Sequence, residues 1–377
     1  MKIDRITLRL VRMPLRFPFE TSFGRITSRD CVLIEMHAGG LVGYGECVAD
    51  YDPGYSYETS GTSLLIMKDF LAPAILGKDF ETPAELQRAL TFVRGHLMSK
   101  AGLEMALWDL LGKRDGRSLR QMLGAERTRV EVGVSVGLQD SPAALVETVQ
   151  RFIDQGYGRV KIKIKPGRDL ADTRAVRQAF PNLRLQVDAN SAYRLPAPGE
   201  TVAPAADARV LLPLDELDLL LIEQPLDEDD LWDHARLQRQ FKTAICLDET
   251  IISARHARQA LEMGACRIVN IKAGRVGGLS EAAAIHDLCL GRGVPVWCGG
   301  MLETGVGRAS NLALAALPGF SLPGDLSATE RYYFEDITHQ NFTLNPDSTI
   351  TVPDGPGLGV EINPAVLERV TVSTLNL

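Results

Sequence analysis

From residue 159 onward, charged side chains stand at the ends of short apolar runs. Lys161, Lys163 and Lys165 alternate in Arg-Val-Lys-Ile-Lys-Ile-Lys, and Asp188 follows in Leu-Gln-Val-Asp-Ala-Asn. Glu223 ends Leu-Leu-Leu-Ile-Glu-Gln-Pro, Asp248 sits in Ile-Cys-Leu-Asp-Glu, and Lys272 closes Ile-Val-Asn-Ile-Lys. Any one strand-end acid could cap a helix or pair with a surface lysine, but three on consecutive runs suggest a hard divalent ion bound by oxygen. Mg²⁺ comes first, with Mn²⁺ second. No histidine joins the set, which argues against Zn²⁺. Lys163 and Lys272 flank the acids as two bases. A lysine serves as a base only when its pKa falls well below about 10.4, and neighbouring cations push it that way: Lys161 beside Lys163, Arg275 near Lys272, and the metal itself.

Steps of 25, 35, 25 and 24 residues separate Lys163, Asp188, Glu223, Asp248 and Lys272, about the length of a strand, a helix and two loops. The strand-like runs are 130–135, 160–164, 183–187, 219–222, 244–247, 267–271, 294–298 and 319–322. They are rich in Val, Ile and Leu, as strands buried on both faces should be. Between them, 141–155, 253–263 and 279–292 carry apolar residues at helical spacing, with Gly156, Gly264 and Gly293 placed as C-caps. Eight such runs predict an α/β fold, a (β/α) barrel of the modified TIM type, with the charged residues at the C-terminal ends of its strands, where barrels keep their chemistry. Three in-pointing lysines on one barrel strand need nearby anions or a functional reason.

The N-terminal third differs. Runs 3–10, 31–37 and 42–47 read as strands and 57–76, 83–97 and 100–113 as helices, the order of an α+β unit. The expected organisation is an α+β capping domain over 1–125, a barrel over 126–325, and a segment over 326–377 that packs back on the cap. Strand-like stretches at 342–344, 349–352 and 370–372 lie in that tail. The proline-rich stretch 195–206 accounts for the long 35-residue step and, following the third strand, could reach the mouth of the site.

The 377 residues suit a barrel plus a cap. A net charge of −7 argues against a nucleic-acid partner. No apolar run reaches membrane-spanning length and no signal peptide opens the chain, so a cytoplasmic protein without a membrane partner is expected. The six cysteines form no CxxC pair and read as buried free thiols. All six histidines read as structural or surface residues. Asn190 and Gln224 read as supporting hydrogen-bond groups, with a plain turn role equally open for Gln224. The glycines of Gly-Gly-Met-Leu-Glu-Thr-Gly, 299–305, permit close backbone approach to a ligand.

Taken in order, the Lys-x-Lys, Asp-Ala-Asn, Glu-Gln-Pro, Asp-Glu and Asn-Ile-Lys strings resemble the muconate-lactonizing subgroup of the enolase superfamily. Within it the chain is most similar to the o-succinylbenzoate synthase / N-acylamino acid racemase family. Val-Asn-Ile-Lys-Ala-Gly-Arg-Val-Gly-Gly at 269–278, Pro-Val-Trp-Cys-Gly-Gly-Met-Leu-Glu-Thr-Gly at 295–305, Leu-Pro-Gly-Asp at 322–325 and Leu-Glu-Met-Ala-Leu-Trp-Asp at 103–109 carry that likeness. It implies that Asp188, Glu223 and Asp248 bind Mg²⁺, that Lys163 and Lys272 form the acid/base pair, and that Lys161 steadies Lys163 and the substrate carboxylate. Ser135, Asn190, Met301 and Leu302 fall at substrate or support positions. Loops around Phe19, Phe23 and Tyr55 would close over the distal end. A lysine base with Mg²⁺ stabilising an ene-diolate is the superfamily's established scheme, not one read from these residues. Ala273 departs from the family, where proline is more usual.

The resemblance implies a lyase that dehydrates a cyclohexadiene carboxylate to o-succinylbenzoate for menaquinone, with N-succinyl or N-acyl amino acid racemisation as a second activity. A dedicated racemase, a dipeptide epimerase or a cycloisomerase remains open, and a non-catalytic carboxylate-binding scaffold is the rival from another class. The expected partners are a small carboxylate substrate and further copies of the chain in a homo-oligomer.

Overall fold

A computed structural model describes residues 1–197 and 199–377. Its first part is an antiparallel sheet faced by helices. β1 (Arg5–Glu20), β2 (Arg25–Ala38) and β3 (Leu41–Cys47) pair in sequence order. Helices α1 (Ser60–Ile66), α2 (Ala72–Ile75), α3 (Pro83–Ala89), α4 (Leu97–Asp115) and α5 (Leu119–Met122) follow, with a π-turn at Met67–Leu71 joining α1 to α2. α4 lies on the sheet at van der Waals distance because glycines meet there: a Cβ on Gly45 would stand 2.0 Å from the Gly102 carbonyl. β1 and β2 run well past the apolar runs 3–10 and 31–37, and their hairpin projects from the cap sheet, so that Phe19 pairs with Ile26 and Glu20 with Arg25 near its tip. The extension of β1 carries its own strand signal, since Val11, Met13, Leu15, Phe17 and Phe19 alternate with Arg, Pro and Glu beyond the run 3–10.

The second part begins with β4 (Arg129–Glu131) and β5 (Val134–Val136). The run 130–135 therefore splits at Gly133, where a Cβ would strike the Arg159 guanidinium at 2.4 Å. Strands and helices then alternate: α6 (Pro142–Asp154), β6 (Arg159–Lys163), α7 (Leu170–Ala179), β7 (Arg184–Asp188), β8 (Ile222–Glu223), α8 (Leu231–Gln238), β9 (Ile245–Leu247), α9 (Ala254–Met263), β10 (Ile268–Ile271), α10 (Ala273–Val276), α11 (Leu279–Leu290), β11 (Val296–Cys298) and α12 (Gly305–Ala315). β5 to β11 form one parallel sheet in sequence order, seven strands rather than eight. The run 319–322 supplies no strand, but its neighbourhood bridges the seam. Phe320 pairs with Val296 on one side and Gly324 with Val132 on the other. Pro323 has no N–H to give a ladder, which keeps this edge to single bridges.

In the tail, β12 (Thr349–Thr351) pairs with β4 of the barrel part, whereas β13 (Thr371–Asn376), after α13 (Pro364–Val370), pairs with β1 of the cap. Residues 342–344 form no strand. Of the proline-rich stretch, Pro198 lies outside the described residues; the rest includes a short 3₁₀ turn at Pro204–Ala206.

Candidate active site

Parallel register gathers the charged residues. Lys163 pairs with Asp188 and Asp188 with Glu223, so their side chains share one direction, into the barrel. Counting by twos, Asp248 follows Cys246, and Asn270 and Lys272 follow Ile268 on the same face. Below this ring the interior is filled by Leu221, Cys246, Ile268 and a fully buried Trp297. Lys161 Nζ lies 4.8 Å above the Trp297 ring, and the Arg159 guanidinium 5.6 Å from it. Aromatic and aliphatic side chains thus seal the barrel bottom, and every charge above it needs a partner.

The partners are on hand. Lys161 Nζ lies 2.8 Å from Glu223 Oε2, 3.2 Å from Asp188 Oδ2 and 2.6 Å from Asp325 Oδ2. Lys163 Nζ donates to Asp188 Oδ2 at 2.5 Å and to Asn190 Oδ1 at 2.7 Å, and Asn190 Nδ2 donates to Glu249 Oε1 at 3.0 Å. Asn270 Nδ2 donates to Glu223 Oε1 at 2.7 Å. Lys272 Nζ donates to Asp248 Oδ2 at 2.8 Å and to the Tyr55 hydroxyl at 3.0 Å, and stands 4.5 Å from the Tyr55 ring centre. Gln224 accepts from the Asp248 N–H at 3.0 Å and donates to Thr250 Oγ1 at 2.8 Å, so it is a supporting group that braces the β9 end. Asn190, Gln224 and Leu302 all hold positive φ (42°, 37° and 57°), backbone strain concentrated around one site.

Electrostatics follow from this packing. Burial works against Asp188 ionising, but Lys163 and Lys161 outweigh it and hold the carboxyl below its ordinary range. Burial and the charge of Asp188 push Glu223 up. Glu249 rises to about 7, from burial first and then Asp188, and its Oε2 has no hydrogen-bond partner among the described residues. Burial would lower Lys272, yet Tyr55, Glu249 and Glu223 hold it above the ordinary lysine range. This reverses the expectation that Arg275 depresses it. Arg275 lies on α10 and turns its guanidinium to Asp248, to the Ile251 carbonyl at 2.9 Å and to the Asn270 carbonyl at 2.7 Å. Its charge is spent on Asp248.

A cavity of about 870 Å³, counted out to its open mouth, lies above this ring between barrel and cap. Lys161, Lys163, Asn190, Lys272, Ser135, Met301, Leu302, Phe19, Phe23 and Tyr55 all line it. Asp188, Glu223, Asp248 and Arg275 are not among its lining residues; the three acids bond the lysines that line it. Two expectations fail. Lys165 points elsewhere: β6 ends at Lys163, and Lys165 is partly exposed 3.7 Å from Glu20. None of the described residues of 195–206 lines the cavity. Sequence reasoning also passed over Asp325, which joins Lys161 to Arg159 at 2.6 Å each. The signal was present, since Asp325 is one more acid following an apolar run in Leu-Pro-Gly-Asp.

Among the described residues, no three His, Cys, Asp or Glu side chains are gathered closely enough to hold a metal as they stand. The lysine ammoniums and Arg275 stand between them. In donor chemistry the set nonetheless suits a hard cation: buried carboxylates on adjoining strands, one raised by burial and by its neighbour's charge, and a Glu249 oxygen without a partner among the described residues.

The seven-stranded parallel barrel sheet, the antiparallel cap and the lysine–carboxylate ring agree with the comparisons that follow, which show that the chain belongs to the enolase superfamily. The mandelate racemase / muconate lactonizing enzyme N-terminal domain matches residues 4–124, and the enolase C-terminal domain-like family matches residues 144–366. Over 370 residues the chain is 48% identical to an o-succinylbenzoate synthase of Geobacillus kaustophilus, covering 98% of this chain and 96% of that one. It is 46% identical over 372 residues to an N-succinylamino acid racemase of Thermus thermophilus, covering 99% and 98%. A solved enolase-superfamily structure from Listeria innocua superposes with a TM-score of 0.93 at 42% identity, covering 100% of this chain and 99% of that one. Enzymes of this superfamily depend on Mg²⁺.

Proposed function

We propose that this chain is an o-succinylbenzoate synthase that also racemises N-succinyl or other N-acyl amino acids. The observation that carries the proposal is the pair of cavity lysines, Lys163 and Lys272, reaching one cavity from opposite flanks of the carboxylate ring. Relatives of similar identity bearing both names support the double activity. Asp188, Glu223 and Asp248 would hold Mg²⁺, exchanging lysine contacts for the ion. When bound, Mg²⁺ supplies a positive charge that faces the substrate carboxylate and stabilises negative charge arriving on its oxygens.

The chain's own groups do the rest. Lys161, braced by Asp325, presents a cation to the same carboxylate. Lys163 takes the α-proton. Where the β-carbon bears a hydroxyl, Lys163 returns that proton to it, water leaves, and the electron pair of the broken C–H bond becomes the new C=C bond. Where it bears none, Lys272 delivers a proton to the opposite face and the configuration inverts. Phe19, Phe23, Met301 and Leu302 surround the distal substituent and limit water at the reacting carbon. Ser135 lines the cavity, and its buried hydroxyl has no partner among the described residues.

Parallel assays of the purified protein, on the hydroxycyclohexadiene precursor and on N-succinyl amino acids of both configurations, test this reading. Turnover of both is expected, and chelator-treated protein should lose both. Inactivity on both substrates with Mg²⁺ present would discard the proposal.

A further inference from the structure

A second cavity of about 910 Å³ lies outside the catalytic one, between the β1–β2 hairpin and the first βα unit of the barrel. Phe17 and Arg25 of the hairpin line it, with Gln139 of the loop after β5, Arg151 and Phe152 of α6, and Arg331. Arg331 is the unusual member. Its side chain is only 8% exposed, yet among the described residues no carboxylate lies within ion-pair reach of it. Its one hydrogen bond there runs from an Nη to the Ser135 carbonyl at 2.8 Å, and its buried Nε has no partner. Aromatic faces flank the guanidinium, Phe152 at 4.9 Å and Tyr332 at 5.0 Å. Burial pushes Arg331 below its ordinary range, and Arg151, a second cation, pushes the same way, against Tyr332, Tyr157 and an Asp325 that lies beyond ion-pair reach. A buried guanidinium with five donors and one hydrogen bond, facing a like charge, is costly unless an anion joins it. The acids of the wall do not serve. Glu20 lies 3.7 Å from Lys165, and Asp140 is exposed.

We propose that this cavity is a binding site for a small oxyanion, a carboxylate or a phosphate, gripped by Arg331 from within and by Arg151 at the rim. Planar guanidinium groups suit both ligands through paired N–H···O bonds. Arg331 also holds the Ser135 carbonyl, so an occupant sits one side chain from the catalytic cavity without entering it. The site does not depend on which carboxylate substrate the enzyme turns over.

Equilibrium dialysis of the full chain with labelled succinate, at constant ionic strength set by chloride, counts the sites. Two classes are expected. Arg151→Met and Arg331→Met should each weaken one class roughly tenfold or more, whereas Lys163→Ala should weaken only the other. Arg151 is exposed, so its variant should fold and turn over substrate normally even if the Arg331 variant does not fold. Displacement of this succinate by inorganic phosphate marks a general oxyanion site and resistance marks a carboxylate site; both sustain the proposal. A single class of sites, or two classes that Arg151→Met leaves unchanged, overturns it.

Discussion

Asp325→Asn isolates a carboxylate that stands outside the metal and lysine set expected from the sequence. Asp325 is 6% exposed and bridges Arg159 and Lys161 at 2.6 Å each. Burial alone would favour its neutral form, but Lys161 and Arg159 hold it ionised and below the ordinary carboxylate range. The amide keeps the shape and one acceptor but removes the charge from between two buried cations. Breaking a buried pair commonly costs about 3–5 kcal/mol. The lower end applies, because Lys161 retains Glu223 at 2.8 Å and Asp188 at 3.2 Å and Arg159 retains the Pro323 carbonyl at 2.7 Å. With an unfolding entropy of about 2.1 cal/mol/K per residue, a loss of about 3 kcal/mol lowers Tm by about 4 °C if the whole chain melts together. Freed from Asp325, Lys161 is drawn further onto Asp188 and Glu223, the acids proposed to hold the metal. Synthase kcat/KM should therefore fall roughly tenfold or more. Scanning calorimetry and steady-state kinetics read the two effects. A Tm within about 1 °C of the parent together with kcat/KM within about twofold would refute the reasoning.

Glu46 is 1% exposed, and burial raises its carboxyl to about 7 despite bonds from Thr304 and Gly307. A folded pKa above the unfolded one means that the native state holds an extra proton between pH about 4.5 and 7. Stability should therefore decline as pH rises through that window, by about 3 kcal/mol, and Glu46→Gln should flatten the slope in denaturant titrations; an unchanged slope would count against Glu46. Gly278→Ala should cost about 2–4 kcal/mol in chemical denaturation. Its φ is +129°, and an added Cβ would lie 2.4 Å from Glu104 Oε2, the group that caps the Leu279 N–H at 2.8 Å. A loss under about 0.5 kcal/mol would mean that Glu104 yields freely. In D₂O, Lys272→Ala should stop racemisation while Lys163 still exchanges the α-proton of one enantiomer, as followed by NMR; two-way racemisation by this variant would remove Lys272 as a base.

Much of this protein was legible in its sequence, for a simple reason. A parallel barrel repeats one rule, an apolar strand followed by a helix, and parallel register places every strand end at one rim. Asp188, Glu223, Asp248, Lys163 and Lys272 could therefore be grouped from run and spacing alone, as could the α+β cap from its strand-then-helix order. The same rule misled wherever pairing stopped. Lys165 keeps the alternation of Lys161 and Lys163, but the β6 ladder ends at Lys163, just ahead of the Pro166-Gly167 turn, so the alternation outruns the pairing. Only the tertiary structure decided which charges pair. Arg275 is near Lys272 in sequence, but its guanidinium is fixed on Asp248, so its influence on the lysine is smaller than that of Tyr55 and Glu249. Lys161 and Asp325 are 164 residues apart and yet within 2.6 Å, brought together because the segment bridging β11 to β5 closes the ring. The roof was placed only by family resemblance and not by periodicity, since Phe19 and Tyr55 reach the cavity through a hairpin and a loop of another domain. Periodicity records which way a residue faces within its own element; contacts across elements depend on register and closure, which exist only once the chain has folded.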